Sequence, residues 1–197
     1  MWLGRDYKMM KLTNNEKQLR LNDKSKEELL RDLYCKRLSN YSKIITYFGN
    51  VNSKIMILGL APVQEHLDSD SKSAFKFDLS LQQETKSGSI IIKVFKELDL
   101  DIKDYFWNNC YKIPIEIAAK TQEQKIIFQK LLEDEIEIIE PDTIICLGTV
   151  SFDFVKSLDI DVNINIKYIM HPAYVLRGGI TISNYVNYWK NAMEVKK

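Results

Sequence analysis

The chain has 197 residues, 45% hydrophobic, 28% charged and 11% aromatic, which suffices for one domain with a sizeable core. Seven glycines and four prolines exclude a collagen-like or Pro/Gly-rich disordered chain. Twenty-eight basic against 27 acidic residues leave a net +1, so no global field advertises a nucleic-acid partner, and DNA binding would need a local basic face.

Residues 14–41 are rich in Lys, Arg, Glu and Leu, with Leu19, Leu21, Leu29, Leu30, Leu33 and Leu38 near helical spacing. They predict one or two amphipathic helices, the second capped by Asp23 or Ser25. Arg5, Asp6 and Lys8 stand where a signal peptide needs apolar residues, so a cytoplasmic protein is expected. After Gly49 the pattern changes. Residues 54–60, Lys-Ile-Met-Ile-Leu-Gly-Leu, read as a strand buried on both faces. The longest apolar run, residues 55–63, is broken by Gly59 and Pro62 and is too short to cross a bilayer.

Three further strands are predicted at 105–112, 143–148 and 166–171, with helices at 87–98, 121–139, 150–158 and 182–195. Residues 68–89, rich in Ser, Lys, Asp and Gln, read as a loop. The alternation predicts a three-layer α/β/α sandwich around a short, mainly parallel four-stranded sheet. One domain follows, with residues 1–45 as a helical extension and 46–197 as the α/β core. Cys35, Cys110 and Cys146 form no CxxC pair, so neither a zinc site nor a disulfide framework is suggested.

Ligands of open parallel sheets bind beyond the carboxyl ends of the strands. Both histidines of the chain, His66 and His171, fall at such ends. Glu65 and Asp68 flank the first, Asn108, Asn109 and Lys112 close the second strand, and Arg177 stands six residues after His171. Each has an ordinary alternative: a hydrogen-bonded structural histidine, an Asn turn, a solvated loop carboxylate, a surface ion pair. Composition and spacing alone justify a polar pocket at this edge of the sheet.

The ordered set Gly59-Leu60-Ala61-Pro62 with Glu65, Asn109 three residues before Lys112, Pro141 before a strand ending Leu147-Gly148, and His171-Pro-Ala-Tyr-Val-Leu-Arg177 resembles the uracil-DNA glycosylase superfamily, over about residues 44–190. The His-Pro-Ala segment is most similar to the thermophile-type, iron–sulfur branch. Gly-Leu-Ala-Pro is nearer a sister branch that lacks the usual carboxylate after the first glycine. Of the four cluster cysteines of the iron–sulfur branch, Cys35 falls near one position, and Ile113 and Phe128 stand at two others. No cofactor is therefore expected, and no metal.

The resemblance implies a monofunctional DNA glycosylase acting on a flipped-out base. A base is extruded at a cost of roughly a few kcal/mol and stacked on an aromatic ring, for which Phe75 and Phe77 are candidates. Asn109, or Asn108 one register away, would read the base edge. Gly59, Leu60, Ala61, Pro62 and Gly148 would complete the pocket. His171 would stabilise the departing base, Glu65 or else His66 would orient the water, and Arg177 and Lys112 would hold flanking phosphates. Leu60 in place of the carboxylate points beyond uracil alone, to hypoxanthine, xanthine or a bulky modified pyrimidine. The expected partner is DNA carrying such a base, bound by a monomer, with no membrane involved. The rival reading is a catalytically silent module that binds nucleic acid or a nucleotide on the same fold.

Overall fold

The computed structural model describes residues 24–69, 72–77 and 85–194; the earlier of the two expected N-terminal helices and the candidate cap Asp23 lie outside them. The described N-terminal helix, α1 (Lys26–Arg37), starts at Ser25, whose hydroxyl accepts from the Glu28 N–H while the Glu28 carboxylate accepts from the Ser25 N–H. This reciprocal pairing satisfies two of the donors that every helix start leaves open.

The sheet has five strands rather than the expected four: β1 (Phe48–Gly49), β2 (Ile55–Gly59), β3 (Phe106–Asn109), β4 (Thr143–Leu147) and β5 (Asn165–Ile169), in the order β1-β3-β2-β4-β5. The additional strand is two residues long and antiparallel to β3, and so short a segment carries no readable alternation. The other four are parallel. Between them run α2 (Gln64–Leu67), α3 (Lys86–Glu97), α4 (Ile115–Ala118), α5 (Gln122–Ile139) and α6 (Thr149–Lys156), and after β5 come α7 (Ala173–Leu176) and α8 (Ile182–Ala192). β3 leaves the sheet three residues earlier than its apolar run suggests, although the Cys110 and Tyr111 N–H groups still bond to the Gly59 and Leu60 carbonyls.

Side chains alternate across a strand, and here both faces are apolar. Met56, Leu58, Ile144 and Cys146 join Leu30 and Tyr34 of α1, Phe128 and Leu132 of α5, and Phe154 and Val155 of α6 in one core. Ile57, Trp107, Ile145 and Leu147 join Phe95 of α3 and Tyr185 and Trp189 of α8 in the other. Helices therefore cover both faces of the sheet. β2 lies between β3 and β4; the chain leaves β2 towards α3 on one face and leaves β4 towards α6 on the other. Loops departing to opposite faces open a crevice between the two strand ends, the usual ligand position in such sheets.

Candidate active site

A cavity of about 710 Å³ lies at this crevice, lined by residues 60–65 after β2, 147–151 around the end of β4, His171 after β5, and Ile115 and Glu116 of α4. Its wall is largely carbon, from Leu60, Pro62, Val63, Ile115, Leu147 and Val150, with Glu65, Glu116 and His171 as its ionisable groups.

The inner end of the β2 loop is fixed by close contact. A Cβ on Gly59 would lie 2.5 Å from Asn109 Oδ1 and 2.8 Å from Phe75 Cζ, so only glycine lets the three residues meet. Asn109 is almost wholly buried, and the hydrogen bonds it makes to described residues run through its main chain: its N–H donates to Asn108 Oδ1 and its carbonyl accepts from Lys112 Nζ. Phe75 and Lys76 both adopt the left-handed conformation, at φ 59° and 56°, a strain of order 1–3 kcal/mol for each residue. The turn is held because Thr85 donates its N–H and hydroxyl to the Phe75 carbonyl, at 3.4 and 3.3 Å, and because Gly88 lets that carbonyl approach where a Cβ would stand 2.9 Å away. The two aromatic candidates are thereby distinguished. Phe75 rests on Gly59, whereas Phe77 is fully buried beneath it, edge-on to Trp107 and Phe48.

Gly148, at φ 99°, caps α6 in a conformation that disfavours other residues. Its Cα faces the His171 side chain, to which a Cβ would come within 3.3 Å. His171 Nδ1 accepts the Ala173 N–H at 3.2 Å. An accepting Nδ1 carries no proton, so the neutral ring bears its proton on Nε2. Burial, aided by the positive charge of Arg177, holds the imidazole below its ordinary pKa. His171 is thus a neutral donor on the cavity wall.

Glu65 is exposed and lines the same cavity. Its neighbour His66 does not: it is 2% exposed, its Nε2 has no partner among the described residues, and burial together with Lys76 pushes its pKa down to about 4. Of the two water-orienting candidates the structure brings only Glu65 to the cavity. Asp68 pairs with Lys43 and Gln64 at the surface. Arg177 is exposed, its Nε donating to the Ala173 carbonyl of its own helix and its guanidinium making no ion pair among the described residues, so it is open to an anion.

Lys112 corrects the expectation of a phosphate contact. It is fully buried, with Nζ 2.8 Å from Glu135 Oε2 and 2.6 Å from the Asn109 carbonyl oxygen, and it has no surface to offer DNA. Asn108, the alternative reader, spends its carboxamide on Glu135 and on the Asn109 N–H. This leaves Asn109 as the strand-end amide whose side chain takes no part in these bonds. Sequence reasoning missed Ile115, Glu116, Val150 and the buried Ser151, whose hydroxyl donates to the Gly148 carbonyl at 2.9 Å. The only cue for them was position, immediately after Pro114 and after Leu147-Gly148.

A family model described as the Uracil DNA glycosylase superfamily matches residues 46–192. The chain belongs to the uracil DNA glycosylase superfamily. That family model spans every cavity-lining residue, and the superfamily acts on DNA. Membership raises the question of an iron–sulfur cluster, and the donor set does not fit one. Cys35 is exposed on α1, while Cys110 and Cys146 are buried within the sheet region, where burial pushes both thiols well above their ordinary range. Ile113 and Phe128 are buried carbon, Phe128 lying against Tyr111 and Tyr41 at ring distances of 5.4 and 5.9 Å. Among the described residues no three His, Cys, Asp or Glu side chains group to hold a metal ion.

Proposed function

We propose that this superfamily member is a monofunctional DNA glycosylase that hydrolyses the N-glycosidic bond of a flipped-out uracil or other deaminated or modified base, leaving an abasic site. It acts as a cytoplasmic monomer without a metal or iron–sulfur cluster. The observation that carries the reading is His171, held as a neutral Nε2–H donor in the same cavity as the Glu65 carboxylate.

As the bond between C1′ and the base nitrogen breaks, the electron pair leaves with the base and the sugar becomes oxocarbenium-like. The His171 Nε2–H donates to the base oxygen on which negative charge grows. A donor fixed in advance in a water-poor pocket is worth about 3 kcal/mol or more. Water adds to C1′ with its proton accepted by Glu65, and the base anion is protonated on release. Phe75 supplies the stacking face, worth roughly 1–3 kcal/mol. The Asn109 oxygen and NH₂ match the N3–H and O4 of uracil. Arg177 holds a flanking phosphate, which positions the strand without reading sequence.

The apolar wall at Leu60 favours bases with bulky or apolar substituents, because a pocket that loses a charged contact gains tolerance there. Hypoxanthine, xanthine and modified pyrimidines are therefore proposed beside uracil. One observation favours the rival, a silent binding module: Asn109 and Phe75 are only 4% and 7% exposed, and neither lines the open cavity. Incubation with duplexes each carrying one modified base, followed by alkaline cleavage of abasic sites, separates the readings. Strand scission at a lesion supports the glycosylase; tight binding without scission across the whole panel supports the silent module.

A further inference from the structure

Behind Asn109 lies a polar cluster that the reaction does not use. Glu135 of α5 is fully buried; its Oε1 accepts from the Tyr34 hydroxyl at 2.6 Å and from Asn108 Nδ2 at 3.0 Å, and its Oε2 accepts from Lys112 Nζ at 2.8 Å. Burial raises the Tyr34 pKa well above its ordinary value, with the Glu135 charge adding to the effect, so the phenol stays protonated and donates. All four side chains are buried, and every charge in the cluster has an opposite charge or a donor.

The cluster ends on the backbone of one residue. Asn108 Oδ1 accepts the Asn109 N–H at 2.9 Å, and Lys112 Nζ donates to the Asn109 carbonyl at 2.6 Å. Strand pairing leaves a gap at this place. β1 pairs with Phe106 and Trp107, so Asn108 and Asn109 have no strand neighbour on that side among the described residues. Side chains take the role that a longer β1 would have, and both main-chain groups of Asn109 are held while its carboxamide stays uncommitted above Gly59.

We infer that Tyr34, Asn108, Lys112 and Glu135 form a positioning unit that fixes the Asn109 carboxamide for base recognition, and that α1, through Tyr34, is part of that apparatus. The role given to Asn109 rests on the glycosylase reading; the bracing of its backbone does not. A carboxamide reads a base only if it arrives pre-aligned, and a partly satisfied buried network would hold it poorly. The four residues are positioning residues and touch no substrate.

The test uses the full chain with two variants. Lys112→Met with Glu135→Gln removes both charges while Gln still accepts from Tyr34 and Asn108; Tyr34→Phe removes a single donor. The expected result for the double variant is a folded protein whose melting temperature falls by no more than about 10 °C, since the Asn109 carbonyl loses one donor, with kcat on a uracil duplex lowered about tenfold or more and KM within about twofold, because phosphate contacts are intact. Tyr34→Phe moves the same way by a smaller factor, and it carries the test if the double variant does not fold. A folded variant with unaltered kcat overturns the positioning role. Amide hydrogen exchange resolved by residue separates this inference from the glycosylase reading. The Asn109 N–H should exchange about tenfold faster in the variant while Met56 and Leu58 are unchanged, whether or not the protein turns over. Unchanged Asn109 exchange overturns the brace itself. Loss of protection in a protein with no activity on any base retains the brace and removes only the function assigned to Asn109.

Discussion

Acid should destabilise this protein through His66 before most of its carboxylates titrate. The imidazole is 2% exposed, Nε2 has no partner among the described residues, and burial with the Lys76 charge lowers the pKa from 6.5 to about 4. Because the folded state holds the proton less tightly than the unfolded chain, the stability tied to His66 is fully present above pH 6.5 and is lost as pH falls towards 4. At 1.36 kcal/mol per pH unit the whole span amounts to about 3 kcal/mol, and about 2 kcal/mol of it should be gone by pH 5. Against a usual total of about 5–15 kcal/mol that is a large fraction. Urea unfolding at pH 7, 6, 5 and 4 on the unaltered chain and on His66→Leu measures it. The variant should be at least as stable at pH 7, since an unsatisfied buried nitrogen costs about 1–3 kcal/mol, and should lack this part of the acid slope. Parallel pH profiles for the two proteins would refute the reasoning.

Four further outcomes are expected. His171→Ala should lower the single-turnover rate by ~10²-fold or more with little change in DNA affinity; an unchanged rate would make His171 structural. Gly59→Ala should cost activity by a similar factor, because the new Cβ meets Asn109 and Phe75 inside contact distance, and an active variant would mean neither residue touches the base. Arg177→Ala should weaken binding evenly across DNA sequences and reduce the salt slope by about 1, as read by binding titrations at several salt concentrations. Leu60→Glu should narrow activity towards uracil in a panel with hypoxanthine, xanthine and modified cytosines; strict uracil specificity in the unaltered chain would move selectivity to Asn109 and Phe75.

Fold and site were legible to different depths in the sequence. The four parallel strands and their helices lie within a few residues of their apolar runs, since a strand buried on both faces and an 18-residue amphipathic helix such as α5 announce themselves by length and period. The meeting of Gly59, Asn109, Gly148 and His171 at one edge was legible through motif order. Lys112 was not, because what decides its role is Glu135, 23 positions away on a helix, and a lysine after a strand looks the same with or without that partner. Glu65 and His66 are adjacent on one helical turn, so one faces the cavity and the other the interior, and no local pattern says which. Phe75 and Phe77 would share a face in an extended strand. The left-handed turn at Phe75 and Lys76 stacks the two rings on each other at 5.4 Å inside one core cluster, and only their order in the stack, with Phe75 the one that reaches Gly59, tells them apart.

The Lys112–Glu135 pair also bears on how a lineage of this protein can change. Removing one member leaves an uncompensated charge in a dry interior, at about 3–5 kcal/mol, enough to unfold a protein near the lower end of ordinary stability. Exchange of both for apolar residues removes the charge imbalance but still leaves the Tyr34 hydroxyl, Asn108 Nδ2 and the Asn109 carbonyl to find new partners, and the two codons must change nearly together. The path between the two states therefore crosses a barrier that selection resists at every single step. Descendants should inherit lysine and glutamate at these positions as one unit, and a lineage that has lost the lysine should have lost the glutamate with it.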